Sequence, residues 1–173
     1  MPTDEIHPLW LQNNYTVTKI LGEQLCQLYH NSHGLSYTVL RLYNVYGPGQ
    51  MAGYFIPDMI AKARDGGINL PGGNTTKDFV FVEDVVQAFL LALQTPYVGH
   101  INIGTGVETE LASVACQIAH SMGASFSTSP NANATRMLAD IARAKRVLGW
   151  RPAISVAEGL GRIFQYEEIG AKV

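Results

Sequence analysis

The sequence predicts an α/β protein with a parallel sheet. Short segments rich in β-branched and aromatic residues alternate with longer segments whose apolar residues recur at helical spacing. Clusters of glycine and proline, such as residues 47–49 and 71–73, separate these segments. Alternation of this kind is typical of strands that form a parallel sheet with helices packed on its faces.

Length and composition exclude several classes of function. A chain of 173 residues with 47% hydrophobic and 15% charged residues is expected to form one compact unit with a substantial core. Its net charge of −2 gives no electrostatic basis for binding nucleic acid or an anionic membrane surface. The first residues are acidic rather than basic, and no apolar run approaches the ~18 residues of a membrane span. We therefore expect a cytoplasmic protein.

The cysteines and histidines form no recognisable disulfide or metal motif. Cys26 and Cys116 lie in separate helical patterns without a CxxC spacing, so we expect reduced thiols in the core. His30 and His33 have a spacing that a metal could use, but no third ligand accompanies them. We predict no metal site and expect these histidines to interact with the carboxyl end of a helix.

The first predicted element is a long helix from about Leu9 to His33, with Gly34 as the residue that ends it. Its pattern contains two stripes, one formed by Val17, Leu21, Leu25 and Leu28 and the other by Tyr15, Lys19, Gly22, Cys26 and Tyr29. Two stripes on one helix predict that both of its sides are covered.

The remaining elements follow from the same two periodicities. We predict strands at residues 36–46, 68–70, 78–82 and 100–103, and helices at residues 55–64, 83–94, 110–122, 139–148 and 155–168. Residues 125–135 form the most loop-like stretch. Glu83 and Asp84 lie in the first turn of a predicted helix, where the helix dipole alone would explain two acids.

Tyr15 and Lys19 are the residues in this pattern that suggest chemistry. Four residues apart on a helix, their side chains lie on one face. A phenol ordinarily titrates near pH ~10, so an isolated tyrosine is a poor base at neutrality. A nearby ammonium favours the phenolate and makes the tyrosine a candidate proton acceptor for a substrate hydroxyl. These two residues alone leave open the alternative of an ordinary pair on a solvated helix.

Five short signatures stand in one order along the chain. They are Tyr15-x-x-x-Lys19 with Gly22-Glu23; Arg41-x-x-Asn44-x-Tyr46-Gly47-Pro48-Gly49; Lys77-Asp78-Phe79-Val80-Phe81-Val82-Glu83-Asp84; Asn102-Ile103-Gly104-Thr105-Gly106; and Asp140 followed by Leu148-Gly149-Trp150-x-Pro152. Together they resemble the C-terminal half of the extended short-chain dehydrogenase/reductase family, the NAD-dependent sugar-nucleotide epimerases and dehydratases.

The resemblance covers essentially the whole chain and implies a fold. That fold is a partial Rossmann-like parallel sheet joined to a small substrate-binding part. Residues 1–50 and 98–123 would belong to the Rossmann-like part, and residues 51–97 and 124–173 to the substrate-binding part.

The resemblance also implies roles for individual residues. Tyr15 matches the catalytic base, and Lys19 matches the lysine that binds the nicotinamide ribose and favours the phenolate. Tyr43 lies at the strand end that faces the nicotinamide in the family. Asn44 matches an asparagine that contacts the sugar nucleotide, although a buried amide that braces a loop is the competing interpretation.

Two basic residues are candidates for the diphosphate of the substrate. Lys77 occupies a position where the family more often has an arginine, so the charge is kept but the bidentate fork is lost. Arg136 is a further candidate, although the residues around it depart from the family pattern. For both residues a solvated surface charge is the alternative.

The sequence contains no glycine-rich strand–turn–helix unit of the kind that holds a dinucleotide pyrophosphate. Gly47-x-Gly49 and Gly104-x-Gly106 follow predicted strands, but neither continues as GxGxxG. Tight NAD binding by this chain alone is therefore not expected. We also expect the strand at 36–46 to have an open edge, covered by homodimerisation, by rearrangement or by an N-terminal NAD-binding partner.

These observations leave two functional hypotheses. In the first, the chain is the substrate-binding, Tyr/Lys-bearing part of a nucleotide-sugar isomerase or lyase, truncated relative to the family and not active alone. In the second, it is a non-catalytic remnant that binds a ligand or self-associates. A cloned fragment of a longer enzyme would have the same sequence features as the first.

Overall fold

The computed structural model describes residues 1–11 and 13–170, with side chains described to residue 167. This part of the chain forms six helices and eight short strands. The helices are α1 (Asn14–His33), α2 (Phe55–Arg64), α3 (Val82–Gln94), α4 (Leu111–Ser121), α5 (Ala142–Leu148) and α6 (Val156–Gly170). The strands are β1 (Thr38–Leu42), β2 (Asn44–Tyr46), β3 (Gly67–Pro71), β4 (Thr76–Lys77), β5 (Phe79–Phe81), β6 (Gly99–Ile103), β7 (Thr109–Glu110) and β8 (Ser125–Ser129).

The predicted strand at 36–46 is two strands with different partners. β1 pairs in parallel with β6, and β2 pairs in parallel with β5. The switch occurs at Tyr43, whose amide donates to Ile103 while its own carbonyl accepts from the amide of Val45. This local bend sends the chain from one partner strand to the next.

The remaining four strands form two further pairs. β3 pairs in parallel with β8, and β4 pairs antiparallel with β7. The prediction of a loop at 125–135 was wrong for Ser125–Ser129, because this polar strand is held by its ladder with β3 rather than by burial. The hydroxyl of Thr128, for example, donates to the carbonyl of Leu70 at 2.8 Å.

Two hydrophobic clusters form the interior. In the first core cluster, the ring of Tyr46 makes edge-to-face contacts with Phe79 and Phe81. These rings pack against apolar residues of α2, α4 and α6. In the second core cluster, Val80, Ile101 and Ile103 pack against α3, α5 and Trp150. Successive residues of β5 therefore point into different clusters, as the pleat of a strand requires.

Asp78, between β4 and β5, is fully buried and joins three segments of the chain. Its carboxylate accepts hydrogen bonds from the amide and hydroxyl of Thr105 at 2.6 and 2.7 Å, from the amide of Gly106 at 2.9 Å, and from the amide of Ala139 at 3.1 Å. A side chain at Gly104 would place its Cβ 2.8 Å from the Asp78 carboxylate, so this position requires glycine.

The helix dipole does not by itself explain Asp84. This side chain is buried, and it accepts the amides of Ala153 and Ile154 at 3.0 and 3.1 Å. The Asp84 carbonyl accepts the indole N–H of Trp150 at 2.9 Å. Glu83, by contrast, is exposed and pairs with Arg162.

α1 begins later than predicted. Asn13 and Thr16 form a reciprocal capping box, so residues 9–11 precede the helix, while Gln12 lies outside the described residues. The predicted end is confirmed, since Gly34 has a φ of 70° and donates its amide to His30. None of the residues of α1 is buried, so the prediction of a helix covered on both sides is not met by the described part of this chain.

The cysteine prediction was partly wrong. Cys26 is half-buried, but Cys116 is exposed because α4 turns the face with Val114 and Ile118 inward. Within the described residues, no helix combines the length and apolar character needed to span a bilayer.

The two edges of the β1–β6 pair differ. On the outer edge of β6, the Asn102 amide donates to the Glu5 carboxylate at 2.9 Å, and the His100 carbonyl accepts from Arg143 at 2.9 Å. Glu5 and Arg143 lie 3.5 Å apart and so occupy the place of a neighbouring strand. The backbone groups of Tyr37 and Tyr43, on either side of β1, bond to β6, so the backbone groups at odd positions of β1 point toward β6. The amides and carbonyls of residues 38, 40 and 42 therefore point to the other edge.

Candidate functional site

A cavity of about 620 Å³ opens beside the start of α1. Its wall includes the junction of β1 and β2 and the Gly47–Gly49 loop. Tyr15, Tyr43 and Asn44 are among the residues that line it. Three of the residues singled out in the sequence therefore meet at one cavity.

Tyr15 and Lys19 are brought together as the helical spacing predicts. Tyr15 is the second residue of α1 and remains 68% exposed at the cavity. The Lys19 ammonium lies 5.2 Å from the centroid of the Tyr15 ring. A cation at this distance from the ring centroid interacts favourably with the ring.

The position of this pair depends on Glu23, one helical turn beyond Lys19 on the same face. Its carboxylate accepts two hydrogen bonds from Arg41 of β1, at 2.8 Å from Nε and 2.7 Å from Nη2. The Arg41 and Glu23 side chains are only 19% and 12% exposed. The bonds to Glu23 raise the pKa of Arg41, against a smaller effect of burial.

Sequence reasoning included Glu23 and Arg41 in the motifs but did not predict that they pair. The available signal was an arginine in an otherwise apolar strand. A charge in that position needs a buried acidic partner to offset its desolvation.

His100 of β6 lies against the same pair. Its Nε2 is 3.3 Å from a Glu23 carboxylate oxygen but lacks hydrogen-bond geometry, and it has no other hydrogen-bond partner among the described residues. Burial lowers the pKa of His100, and the positive charges of Arg41 and Arg143 act in the same direction. Glu23 and Glu5 oppose this shift.

Tyr43 is more enclosed than Tyr15. Its hydroxyl donates to the carbonyl of Thr3 at 3.3 Å, and its ring packs against the second core cluster. Burial raises the pKa of Tyr43, so it remains a neutral phenol at physiological pH. Tyr43 can line the cavity and position a flat ring, but it is not suited to act as a base.

The contacts of Asn44 are those expected of an amide that braces a loop, the alternative to a role in sugar binding. Its side-chain nitrogen donates to the Asp78 carbonyl at 3.1 Å and to the Met137 sulfur at 3.3 Å. These bonds hold the amide in one orientation. The amide oxygen accepts no bond within the described residues.

Lys77 and Arg136 are not among the residues that line the cavity, but they are chain neighbours of the two groups that hold Asn44. Lys77 is the last residue of β4, directly before Asp78, and is half-buried. Arg136 precedes Met137, is exposed, and forms a two-point ion pair with Glu108. That ion pair was not predicted, since nothing in the sequence links positions 108 and 136.

The profile of the NAD-dependent epimerase/dehydratase family matches residues 1–104. A UDP-glucose 4-epimerase of Mycolicibacterium smegmatis is 33% identical to this chain over 95% of its length. The match covers 56% of that enzyme.

The comparison with solved structures also finds nucleotide-sugar enzymes. The UDP-glucose 4-epimerase of Thermotoga maritima, solved with UDP-glucose, is similar with a TM-score of 0.85 and 30% identity over 99% of this chain and 58% of that one. A dTDP-glucose 4,6-dehydratase of Bacillus anthracis in complex with NAD gives a TM-score of 0.86 with 25% identity, over 99% and 57% of the two chains. This chain thus spans about half the length of the relatives it matches, and its fold is that of part of a Rossmann-like extended reductase.

The environment of His100 predicts how stability depends on pH. Because its pKa is lowered on folding, the unfolded state binds the proton more readily. The contribution of His100 to the free energy of unfolding is therefore fully present above its ordinary pKa of 6.5, and it is lost as pH falls from there through the folded-state value.

Urea unfolding of the wild type and of His100→Gln, over a pH series, measures this contribution as a difference. We expect the stability advantage of the wild type to shrink on acidification below pH 6.5. An advantage that grew on acidification would mean that attraction to Glu23 outweighs burial, contrary to this interpretation.

Proposed function

Since the chain belongs to the NAD-dependent epimerase/dehydratase family, we propose that it supplies the proton-accepting and sugar-facing part of a nucleotide-sugar epimerase or dehydratase. One observation carries this proposal. The Lys19 ammonium lies 5.2 Å from the centroid of the Tyr15 ring, at a cavity that Asn44 also lines.

Tyr15 is the proton acceptor in this proposal. Its phenolate takes the proton of a sugar hydroxyl as the carbon that bears this hydroxyl becomes a carbonyl. Bound NAD⁺ supplies the acceptor for the hydride that leaves the same carbon. Lys19 stabilises the phenolate before the transfer, and the neutral phenol can return the proton when the carbonyl is reduced again.

The substrate class is a sugar linked to a nucleoside diphosphate. The similar Thermotoga maritima enzyme, solved with UDP-glucose, supports this class. In this chain the Asn44 amide oxygen would meet a sugar hydroxyl, while the cations of Lys77 and Arg136 would meet the diphosphate. Arg136 offers the planar fork that Lys77 lacks.

The residues of this chain fit only one end of NAD. Tyr15, Lys19 and Tyr43 would contact the nicotinamide and its ribose. A pyrophosphate needs a glycine-rich turn that leads from a strand into a helix N-terminus, and this sequence contains no such turn. We therefore assign the rest of the dinucleotide to a dinucleotide-binding half outside these 173 residues, without which this chain is inactive.

The open edge of β1 is the proposed docking place for that half. Its outward amides and carbonyls at positions 38, 40 and 42 can pair with an added strand, while β6 is closed by Glu5 and Arg143. A cavity of about 450 Å³ lies along this edge, and Phe89 and Leu93 of α3 on its wall are 49% and 83% exposed. An added strand with apolar side chains would cover both.

A second copy of the chain has a different place to bind. Leu21, Leu25 and Leu28 are each more than half exposed and lie on the opposite side of α1 from Glu23. Apart from His30 and His33 in the last turn, the acidic and basic residues of α1 are Lys19 and Glu23, and both lie on the side of the helix away from this leucine stripe. Homodimerisation through the stripe and docking at β1 are thus compatible.

Reconstitution tests the catalytic role of Tyr15. The chain, expressed with a family-type dinucleotide-binding half, should convert UDP-glucose to its 4-epimer or to a dehydrated product when NAD⁺ is added. Tyr15→Phe should lower kcat about 10²- to 10⁴-fold because the proton acceptor is lost. Tyr166→Phe removes a hydroxyl from an exposed tyrosine of α6 and should leave kcat unchanged.

Activity that survives Tyr15→Phe would contradict the assignment of Tyr15. Binding of UDP-glucose without turnover would instead support a non-catalytic ligand-binding module.

Proline substitution tests the docking edge. Leu42→Pro removes an outward-pointing amide from β1 but none of the bonds to β6, and proline is tolerated on edge strands. Leu42→Ala removes the side chain but keeps that amide. We expect Leu42→Pro to weaken binding of the dinucleotide-binding half at least ~10-fold relative to Leu42→Ala, since a ladder bond is lost and the added strand is displaced.

Sedimentation velocity with and without the half measures both kinds of association. Self-association through the leucine stripe should persist in Leu42→Pro. Equal binding of the half by the proline and alanine variants would show that docking does not use the β1 edge.

A further inference from the structure

Arg136 is held from one side only. Its Nε and Nη2 both donate to the Glu108 carboxylate, one to each oxygen. A guanidinium has five N–H groups, so this side-on pair leaves the Nη1 hydrogens and one on Nη2 without a partner in the described part of the chain. With the Arg136 side chain 67% exposed, these hydrogens form a second fork that faces solvent.

Glu108 has a second hydrogen-bond partner besides Arg136. The hydroxyl of Thr76, a buried residue of β4, donates to a Glu108 carboxylate oxygen at 2.6 Å. The Thr76 amide donates to the carbonyl of Thr135, next to Arg136, at 3.0 Å. Thr76, Glu108 and the backbone before Arg136 thus form one connected unit. The bonds from Arg136 and Thr76 lower the pKa of Glu108 to about 2, so the pair stays charged at all physiological pH values.

The unit is linked to the candidate site through the next residues of the chain. Thr76 precedes Lys77 in β4, and Arg136 precedes Met137, whose sulfur contacts the Asn44 amide. The free fork of Arg136 therefore belongs to the same segment that braces Asn44. A planar fork with this orientation matches two oxygens of a phosphate group.

We propose that Glu108 is a positioning residue that holds Arg136 with its outer fork open toward the diphosphate of a nucleotide sugar. This inference rests on the proposed function, because it assumes that Arg136 meets the diphosphate. The physical advantage is that a long side chain is immobilised before the ligand arrives, so less rotamer entropy is lost on binding. A carboxylate that instead competed with the phosphate for the guanidinium would have the opposite effect on affinity.

Calorimetric titration of uridine diphosphate into the full chain distinguishes these roles. We expect Glu108→Gln to weaken binding about 3- to 10-fold, the effect of releasing one side chain that must then be ordered on binding. Glu108→Asp keeps the charge and should restore part of the affinity. Glu110→Gln removes the same charge from an exposed residue two positions away and should bind as the wild type does.

A positioning role requires that the effect of Glu108→Gln on affinity depend on the presence of Arg136. Arg136→Ala should weaken binding on its own, and Glu108→Gln should then cost nothing further in the Arg136→Ala background. Thermal unfolding of each variant separates a change in affinity from a loss of folded protein. Tighter binding by Glu108→Gln, or an equal loss with and without Arg136, would overturn the inference.

Two results would count against the proposed function rather than against the role of Glu108. No binding of uridine diphosphate by the wild type, or no effect of Arg136→Ala, would contradict the assignment of the diphosphate to Arg136. Loss of affinity in Arg136→Ala with none in Glu108→Gln would leave that assignment intact and remove the positioning role alone.

Discussion

The ion pair between Glu23 and Arg41 is the contact on which the candidate site depends. α1 carries Tyr15 and Lys19 but has no buried residue, so hydrophobic packing within this chain does little to fix its place. The bidentate bond from Arg41 ties α1 to β1 and sets its rotation about its own axis. Removing one partner of such an enclosed pair would leave an uncompensated charge, which makes the contact specific as well as attractive.

The other half of the site depends on the buried carboxylate of Asp78. Asp78 binds the glycine loop after β6 and the segment at Ala139, and its own carbonyl holds the Asn44 amide. These bonds restrain the cavity wall at Asp78, whose two carboxylate oxygens both accept bonds, and at the amide nitrogen of Asn44. Proton transfer and sugar recognition need such restraint, since small misplacements of reacting groups are costly in rate.

Local patterns predicted the parts of this arrangement that are local. The meeting of Tyr15 and Lys19 follows from helix geometry, and the bounds of α2 agree with the predicted helix. Long-range contacts were missed, because partners such as Asp78 and Ala139 or Glu108 and Arg136 are far apart in sequence. β8 was missed for a related reason, since its mostly polar and exposed residues carry little apolar pattern and pair with the distant strand β3.

Hydrogen exchange of the α1 amides tests the central claim, that the Glu23–Arg41 pair holds α1 in place. In Glu23→Gln we expect the amides of Asn14–His33 to exchange faster than in the wild type, while those of α2 and α4 are unchanged. Glu167→Gln, which removes the partner of Arg64 from an exposed pair, provides the matched control. Unchanged protection of α1 in Glu23→Gln would contradict the account.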